Sequence, residues 1–533
     1  MRSYKEKYLA GFLARRFLRN PLTMILGVTL ILLGVVALSM MPREEDPQMS
    51  ISGGVVMVSM PGASAAEVEQ VIVRPLERRI REIKGVEHIY GIASDNVGII
   101  NVMYYIGENR EASNLKLYDK VMQNMDQMPQ GASTPLVRPS DIDIDIPIFS
   151  VAFYAKDATK SDSVALYKKV ETIRNSLGNV PNLAKTQIKG GHKEQFNIDV
   201  DISKLAGYHL SLEQIAGALT SLTTRLPEVY NHAKDGKLVV FGVKNVLEHV
   251  EDIQNLIVAH LGGSAIYLKD VAHVYKGYDI QNVKSAQISH KNADGSFSPL
   301  QEQVTLDVSK IKGSNAVIIA KDIVERLEGF KAELDKEGIG YIVTRNYGER
   351  ANEAVNELVF HLLISIVIIA LLLIFILGWK EGLIVTLTVP AILAITIFIA
   401  YMSGQTINRI TLFAFLLSLG LLVDDVIVVI ENIHRHLHSK EAKDQSMDEL
   451  LIEATDEIGA PTNLATIAII LTMVPMAFVG QMMGEFMKPI PLNVPVAMCA
   501  SLLIAYIFTP YLASKFLKKP RHNHEGDTHD ETL

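Results

Sequence analysis

Six long runs of apolar residues divide the chain, and each approaches the length that a membrane-spanning helix requires. A helix needs about 20 apolar residues to cross the hydrocarbon core of a bilayer. The runs are Pro21–Met41, Val359–Gly378, Leu383–Ser403, Ile407–Ile433, Leu464–Val479 and Val494–Leu517. The fifth run is the weakest because it is the shortest. The pattern therefore predicts an α-helical membrane protein with six transmembrane helices.

The first run also has one property of a secretory signal, because Arg15, Arg16 and Arg19 precede it. It is longer, however, than the apolar core of a signal peptide, and no Ala-x-Ala-like cleavage site lies before Pro42. The pattern favours a retained anchor over a cleaved signal.

A polar insertion separates the first and second runs, from Pro42 to about Asn352. Its apolar residues alternate between a period of two, typical of strands, and a period of 3.6, typical of helices. The predicted strands include the segments ISGGVVMVSM, VGIINVMYYI and IPIFSVAFYA. The predicted helices are Ser64–Lys84, Glu111–Met128, Ser161–Leu177, Ser211–Leu222 and Asn315–Lys336. Ser64 and Glu67 are spaced for a capping box at the first of them. Interleaved strands and helices predict a large α+β domain whose sheets are covered on one face.

The positions of Lys and Arg predict how the chain is oriented, because these residues concentrate on the cytoplasmic side of a membrane. They precede the first run, separate the second from the third, and follow the fourth and the sixth. The residues are Arg2, Lys5, Lys7, Arg15, Arg16, Arg19, Lys380, Arg435, Lys440, Lys443, Lys515, Lys518, Lys519 and Arg521. The other short connections carry only Arg409 and Lys488. We therefore expect a multi-pass protein of a bacterial inner membrane, with both termini in the cytoplasm and the insertion in the periplasm.

Composition narrows the class of protein further. Of 533 residues, 49% are hydrophobic and 21% are charged, and the formal net charge is −8. The single cysteine, Cys499, excludes an internal disulfide and a site with several cysteine ligands. An acidic balance without a long basic tract argues against a nucleic-acid partner. No nucleophile motif, phosphate loop or zinc spacing is present, so we expect neither an enzyme nor a metal or cofactor site.

The most informative segment is GLLVDDVIVVIEN in the fourth run, where Asp424 and Asp425 are adjacent in an otherwise apolar helix. One charged residue near the centre of a bilayer costs about 2.5–3.5 kcal/mol. Burial disfavours the charged form of a carboxyl group, and repulsion between neighbours disfavours the ionisation of both. At least one of the two should therefore bind a proton near neutral pH unless a cation is close. These are the properties of a proton relay.

Two further polar residues follow in the same run. Glu431 is either part of the relay or a side chain that reaches water at the end of the helix. Asn432 lies seven residues after Asp425 and is a candidate for a polar contact inside the helix bundle. An alternative for the aspartates is an inert structural pair, protonated or hydrogen-bonded to Ser and Thr of neighbouring helices. No Lys or Arg lies deep inside any of the six runs, so a counter-charge would have to come from a second polypeptide or a second copy.

The motif around these aspartates resembles the fourth transmembrane helix of resistance–nodulation–division (RND) efflux pumps of the hydrophobe/amphiphile type. PGASAAEVEQVIVRPLERRI resembles the first porter helix of that family, and ISKLAGYHLSLEQIAGAL resembles its docking subdomain. EIGAPTNLATIAIILTMVPMAFVGQMMG resembles its fifth transmembrane helix. The similarity extends over nearly the whole chain.

The resemblance implies a pump driven by proton entry that exports hydrophobic or amphiphilic organic compounds. Such pumps work as trimers with a periplasmic adaptor and an outer-membrane channel. The family's proton-binding pair matches Asp424 and Asp425. Heavy-metal members resemble V-D-A-A where this chain has V-D-D-V, which favours organic substrates. The substrate-binding residues remain unknown.

The resemblance also divides the chain into domains. Residues 1–42 form a cytoplasmic N-terminus and the first transmembrane helix, 43–136 a first porter subdomain, 137–186 with 275–350 a second porter subdomain, 187–274 a docking subdomain, 351–520 transmembrane helices two to six, and 521–533 a cytoplasmic polar tail.

One departure from the family concerns its second half, which has six more spans and carries the lysine that pairs with the aspartates. Only the N-terminal half is matched here, so the resemblance implies a separate C-terminal half as a partner. An alternative is a non-transporting assembly or regulatory subunit of an efflux complex. A third interpretation is a lipid- or protein-translocation relative in the same superfamily, but the resemblance of the fifth and sixth runs argues against it.

Overall fold

A computed structural model describes residues 4–49, 51–125, 128–156, 162–223, 229–232, 238–241, 249–261, 263–279, 285–292, 294–439 and 445–518. The predicted polar tail, residues 521–533, lies outside these residues.

Helices and strands are numbered in chain order. The helices are α1 Leu9–Leu18, α2 Leu22–Met40, α3 Ala65–Val68, α4 Arg74–Ile80, α5 Arg110–Met122, α6 Ile142–Asp145, α7 Ser163–Leu177, α8 Ile202–Tyr208, α9 Leu212–Thr223, α10 Val250–Gln254, α11 Leu268–Val271, α12 Ala316–Lys336, α13 Tyr347–Leu377, α14 Trp379–Met402, α15 Arg409–Leu437, α16 Met447–Glu457, α17 Gly459–Ala477, α18 Gln481–Met487 and α19 Pro489–Phe516. A π-helical stretch, Glu69–Val73, joins α3 to α4. The strands are β1 Ser52–Ser59, β2 Val86–Ser94, β3 Val97–Tyr104, β4 Leu136–Asp141, β5 Phe149–Ala155, β6 Leu183–Lys189, β7 Glu194–Val200, β8 Val229–His232, β9 Leu238–Phe241, β10 Ile257–Leu261, β11 Ser264–Tyr267, β12 Ala272–Tyr278, β13 Gln287–Ile288, β14 Gln301–Lys310 and β15 Ile339–Asn346.

Six helical segments in the described part of the chain are long and apolar enough to cross a membrane, which confirms the predicted number. They are α2, α13, α14, α15, α16 with α17, and α18 with α19. Helix α19 lies at the centre of the bundle, where it packs against α14, α15 and α17. Helix α2 packs on α14 at a close approach, since a Cβ on Gly34 would lie only 2.4 Å from the Cα of Ala394. Small residues allow such close helix packing in membranes.

The insertion folds around three separate hydrophobic cores, as an α+β region. In the first, the antiparallel sheet β2-β3-β1-β4 packs one face against α3, α4 and α5. In the second, β5 and β14 are the central strands, β6, β13 and β15 flank them, and α7 and α12 cover the sheet. The third and smallest core lies between the pairs β7–β12 and β10–β11 and the short helices α8 to α11.

All five predicted helices of the insertion are present, and each begins within two residues of its predicted start. The first of these helices begins directly after Ser64, which forms the predicted capping box with Glu67. Helix α5 ends at Met122, well before the predicted end at Met128. The N-terminal ends are predicted more accurately because a capping side chain marks them.

Two short strands lie across the predicted boundaries inside the insertion. Strand β4 pairs with β1, so the first sheet continues to Asp141, past the predicted boundary at residue 136. Strand β6 pairs with β14 and brings Gln187 to Lys189 into the second sheet, although a docking subdomain was expected from residue 187. The predicted boundaries come from the resemblance, which does not show with which strand each segment pairs. The assignment of porter and docking roles remains a prediction.

Candidate functional site

Helix α15 carries the four candidate residues, and its first turn is firmly capped. The side-chain oxygen of Asn408 accepts hydrogen bonds from the backbone N–H groups of Ile410 and Thr411, both at 3.0 Å. The Thr411 hydroxyl in turn accepts from the N–H of Asn408 at 2.9 Å. No proline interrupts the helix. The helix therefore presents its side chains in a regular order, in which adjacent residues point about 100° apart.

Asp425 faces the interior of the bundle and is only 6% exposed. The hydroxyl of Thr466, on α17, donates to its Oδ1 at 3.3 Å. The second oxygen, Oδ2, is buried and has no hydrogen-bond partner within the described part of the chain. A buried polar atom without a partner is costly, and more so when it is charged. These surroundings suit a carboxyl group that exchanges a proton.

Three polar residues near Asp425 were missed in the sequence. Thr466 contacts it directly. On α19, the Ser501 hydroxyl donates to the carbonyl of Leu422, one turn before Asp425, at 2.8 Å. Also on α19, the Tyr506 hydroxyl donates to the side-chain oxygen of Asn463 at 3.0 Å. Thr466, Ser501 and Tyr506 lie within the fifth and sixth apolar runs, which also contain other hydroxyl residues, so no signal in the sequence distinguishes them.

Asp424 and Glu431 lie on the other side of α15, on a surface that the described residues leave exposed. We call this surface the open face of α15. It consists of Phe413, Leu417, Gly420, Asp424, Val428 and Glu431, which recur every three or four residues. A Cβ on Gly420 would meet no atom within 4 Å. The two aspartates are adjacent in the chain but have different surroundings, because Asp425 is buried in the bundle and Asp424 projects from it.

Asn432 is buried, but it contacts α16 rather than Asp425. Its side-chain amide donates to the carbonyl of Ala454 at 2.6 Å and to Oε2 of Glu457 at 3.2 Å. The same carboxylate oxygen accepts from Arg435 at 2.8 Å and lies 2.6 Å from Nε2 of His436. Asn432 thus belongs to a polar connection that joins the C-terminal end of α15 to α16.

Within the described part of the chain, the carboxylates of Asp424, Asp425 and Glu431 have no counter-charge. Among the described residues, no Lys, Arg or His forms an ion pair with Asp424, Asp425 or Glu431. The ion pairs of this helix lie at its two ends: Arg409, its first residue, pairs with Asp46, and in its last turns His434 contacts Glu381 of α14 at 3.0 Å. The site as described supplies a carboxyl group and hydroxyl groups but not a cation.

Comparison with known proteins agrees with this arrangement of membrane helices and insertion. The sequence model of the AcrB/AcrD/AcrF family matches residues 13–531. The chain is also similar to an uncharacterized transporter of Haemophilus influenzae, with 26% identity over 508 residues. The aligned part covers 94% of this chain and 47% of that protein. The chain thus spans about half the length of the curated relative that it matches.

Proposed function

The chain belongs to the AcrB/AcrD/AcrF family of resistance–nodulation–division transporters, and from this premise we propose that it forms one six-helix half of a proton-coupled exporter in a bacterial inner membrane. The observation that carries the proposal is the buried carboxyl group of Asp425, whose Oδ2 has no hydrogen-bond partner among the described residues. An ionisable group is costly inside a membrane, and one that occurs there marks a functional site such as a proton relay.

The open face of α15 supports a second half. Asp424 and Glu431 are exposed on a helix long enough to cross the membrane, and exposure to lipid would cost about 2.5–3.5 kcal/mol for a charged residue near the bilayer centre. A second set of helices, in the same polypeptide or in a separate one, would cover this face and bring a cation to the carboxylates. The half-length match to the relative agrees with this arrangement.

In the proposed cycle, the ionised pair of Asp424 and Asp425 attracts the cation of the second half, and protonation of either aspartate releases it. The helices then shift relative to one another. One proton that crosses about 100 mV releases about 2.3 kcal/mol, which changes the ratio of two conformations about fiftyfold. The insertion would convert that shift into movement of the substrate.

The substrate class and the partners follow from the RND resemblance alone. A second aspartate at position 425, where heavy-metal pumps resemble V-D-A-A, favours hydrophobic or amphiphilic organic compounds. We propose that the transporter works as a trimer with a periplasmic adaptor and an outer-membrane channel.

The test is Asp425→Asn in the complete protein, with efflux of a fluorescent lipophilic cation from cells as the measurement, once the parent has been shown to export that dye. We expect at least a tenfold loss of efflux at an unchanged amount of protein in the membrane. Thr396→Val is the matched control, because Thr396 is a buried residue of the bundle whose hydroxyl donates to its own helix, at Ile392. Normal efflux by Asp425→Asn would contradict the relay.

A further inference from the structure

The segment that follows the first membrane helix, Pro42–Asp46, joins the membrane helices to the insertion. It lies beside Ile407, two residues before α15: the N–H of Glu44 donates to the carbonyl of Ile407 at 2.9 Å, and the N–H of Ile407 donates to the carbonyl of Pro42 at 2.9 Å. On its other side, the N–H of Ala316, at the start of α12, donates to the carbonyl of Arg43 at 3.1 Å. The segment therefore contacts the beginning of α15 and the beginning of a helix of the insertion.

The side chain of Glu44 makes the same connection, and it is buried. Its Oε1 accepts from the ammonium of Lys310, the last residue of β14, at 2.5 Å. Its Oε2 accepts from the hydroxyl of Thr406 at 3.1 Å. Glu44, Lys310 and Thr406 are 4%, 6% and 5% exposed. One carboxylate thus holds an ammonium of the insertion and a hydroxyl of the connection between α14 and α15.

Thr406 is in turn attached to the cap of α15. The amide of Asn408 donates to the carbonyl and to the hydroxyl oxygen of Thr406, each at 3.2 Å, and the Thr411 hydroxyl is 3.2 Å from the same carbonyl. Helix α15 then runs without proline to Asp425, about 24 Å from its first residue at about 1.5 Å per residue. An axial displacement of α15 would therefore move Thr406 with it.

The other ion pairs of the segment are more exposed and less constraining. Arg350 lies 3.3 Å from Glu45, and its side chain is 69% exposed. Arg409 pairs with Asp46, and both side chains are at least 40% exposed. Exposed pairs contribute little to rigidity, whereas a buried pair resists separation because an unpaired charge would remain in the interior. Glu44 is thus the strongest connection that the segment makes.

We propose that Glu44 is a positioning residue for transport: it transmits the displacement of α15 to β14 of the insertion through Thr406 and Lys310. This inference rests on the proposed function, in which the charge of Asp425 changes the position of α15. It adds the route by which the change reaches the insertion.

The test is hydrogen–deuterium exchange of the complete protein in lipid nanodiscs at alkaline pH, in a double-mutant cycle. Asp425→Asn imitates the protonated state, and Thr406→Val removes one hydroxyl while the Glu44–Lys310 pair stays. The insertion is followed by a peptide that covers residues 301–316, and the membrane site by a peptide that covers residues 460–470. Thr396→Val is the matched control, because its hydroxyl bonds within α14 only.

In the parent and in the Thr396→Val background, Asp425→Asn should change the exchange of both peptides. In the Thr406→Val background it should change the membrane peptide only, so that the response of the insertion is lost. An undiminished insertion response in Thr406→Val would overturn the role of Glu44 and leave the relay intact. No response of either peptide in the parent would overturn the relay itself, and with it this inference.

A second variant covers the case in which Thr406→Val does not fold. Glu44→Gln with Lys310→Met keeps the side-chain volumes, leaves no buried charge and removes the ion pair. It should lose the insertion response in the same way, whereas Lys310→Arg, which keeps the charge, should retain it. Retention of the response by the uncharged pair would overturn the proposal.

Discussion

Glu44 and Glu45 are adjacent in the Pro42–Asp46 segment, but their carboxyl groups have different hydrogen-bond partners. Glu44 has partners for both oxygens, whereas Oε2 of Glu45 is buried and has no partner among the described residues. Burial raises the pKa of Glu45 above its ordinary value, although Arg350 opposes the shift. The folded protein therefore binds a proton at Glu45 more tightly than the unfolded chain does, and the charged form of Glu45 lowers the stability of the fold.

Glu45→Gln should for that reason stabilise the protein at neutral pH. Because the folded-state pKa is raised, the charged group destabilises the fold above its ordinary pKa, and the cost disappears as the pH falls below that value. The gain from the substitution should follow the same pH dependence, as measured by thermal unfolding in detergent between about pH 4 and pH 8.

Glu82→Gln provides the control for this prediction. The ammonium of Lys120 holds the pKa of Glu82 below its ordinary value, so that this substitution should not stabilise the protein at neutral pH. A Glu45→Gln variant that is less stable than the parent at pH 7 would contradict the argument from burial.

At the residue scale, the sequence identifies a charged side chain in an apolar run more readily than it identifies the polar side chains around that charge. Asp424 and Asp425 are conspicuous because charge is rare in an apolar run. Their different surroundings are not apparent, because the hydropathy of α15 does not tell which face packs against α17 and α19. Thr466 and Ser501 were missed because hydroxyl groups are common in membrane helices, where they often bond to their own backbone.

At the scale of elements, α1 and α16 form an unpredicted pair at the end of the bundle away from the insertion. Asp456 of α16 is fully buried and accepts hydrogen bonds from the N–H groups of Lys7, Tyr8 and Gly11 at 2.7, 2.9 and 3.0 Å, and from the Tyr4 hydroxyl at 3.0 Å. A side chain of α16 therefore accepts hydrogen bonds from the N–H groups at the start of α1 that have no partner within that helix. Burial and the neighbouring carboxylate raise the pKa of Tyr4 above its ordinary value.

Asp456→Ala should release the N-terminal segment from α16. Three backbone N–H groups and one hydroxyl lose their acceptor, and the loss of charge-assisted hydrogen bonds of this kind costs on the order of 2 kcal/mol of docking free energy. The measurement is the rate of tryptic cleavage at Lys5 and Lys7, which should rise at least tenfold while the bundle stays folded.

Glu453→Ala is the matched control for this change, because Glu453 lies on the same helix and accepts from Gln445 rather than from α1. Equal cleavage of the Asp456→Ala variant and the parent would show that other contacts hold the segment. The most evident of these is the bidentate pair between Arg15 and Glu449, at 2.9 and 3.1 Å.

Elements with a long, regular pattern were predicted well, and short ones were not. The membrane helices are long continuous apolar runs, and the helices of the insertion repeat their apolar period over several turns. Helix α1 has ten residues and packs largely through small residues such as Ala10 and Gly11. Helix α16 has eleven residues, and its large buried apolar residues, Leu450–Ile452, are consecutive rather than periodic. The periodicity of apolar residues is therefore a weak signal for these elements.

At the scale of the whole molecule, the outer surface of the bundle divides into two kinds. Helices α2 and α13 expose almost exclusively apolar side chains over their membrane-spanning windows, which suits contact with lipid. The open face of α15 combines apolar residues with the carboxylates of Asp424 and Glu431. Since charged groups are costly in lipid, the two surfaces should have different neighbours in the assembled transporter.

A spin label on each surface distinguishes these neighbours. In a Cys499→Ser parent, which lacks the exposed native thiol, a label at Val428→Cys on the open face should collide rarely with dissolved oxygen, because protein covers it. A label at Leu371→Cys, on α13, should collide often, as lipid-facing positions do. The two positions are a fair comparison, because Val428 is 42% exposed and Leu371 is 62% exposed before any covering helix is added. The measurement is the oxygen accessibility of both labels in the complete protein in liposomes. Equal, high oxygen accessibility of the two labels would mean that the open face of α15 contacts lipid. That result would contradict the prediction that a second set of helices covers Asp424.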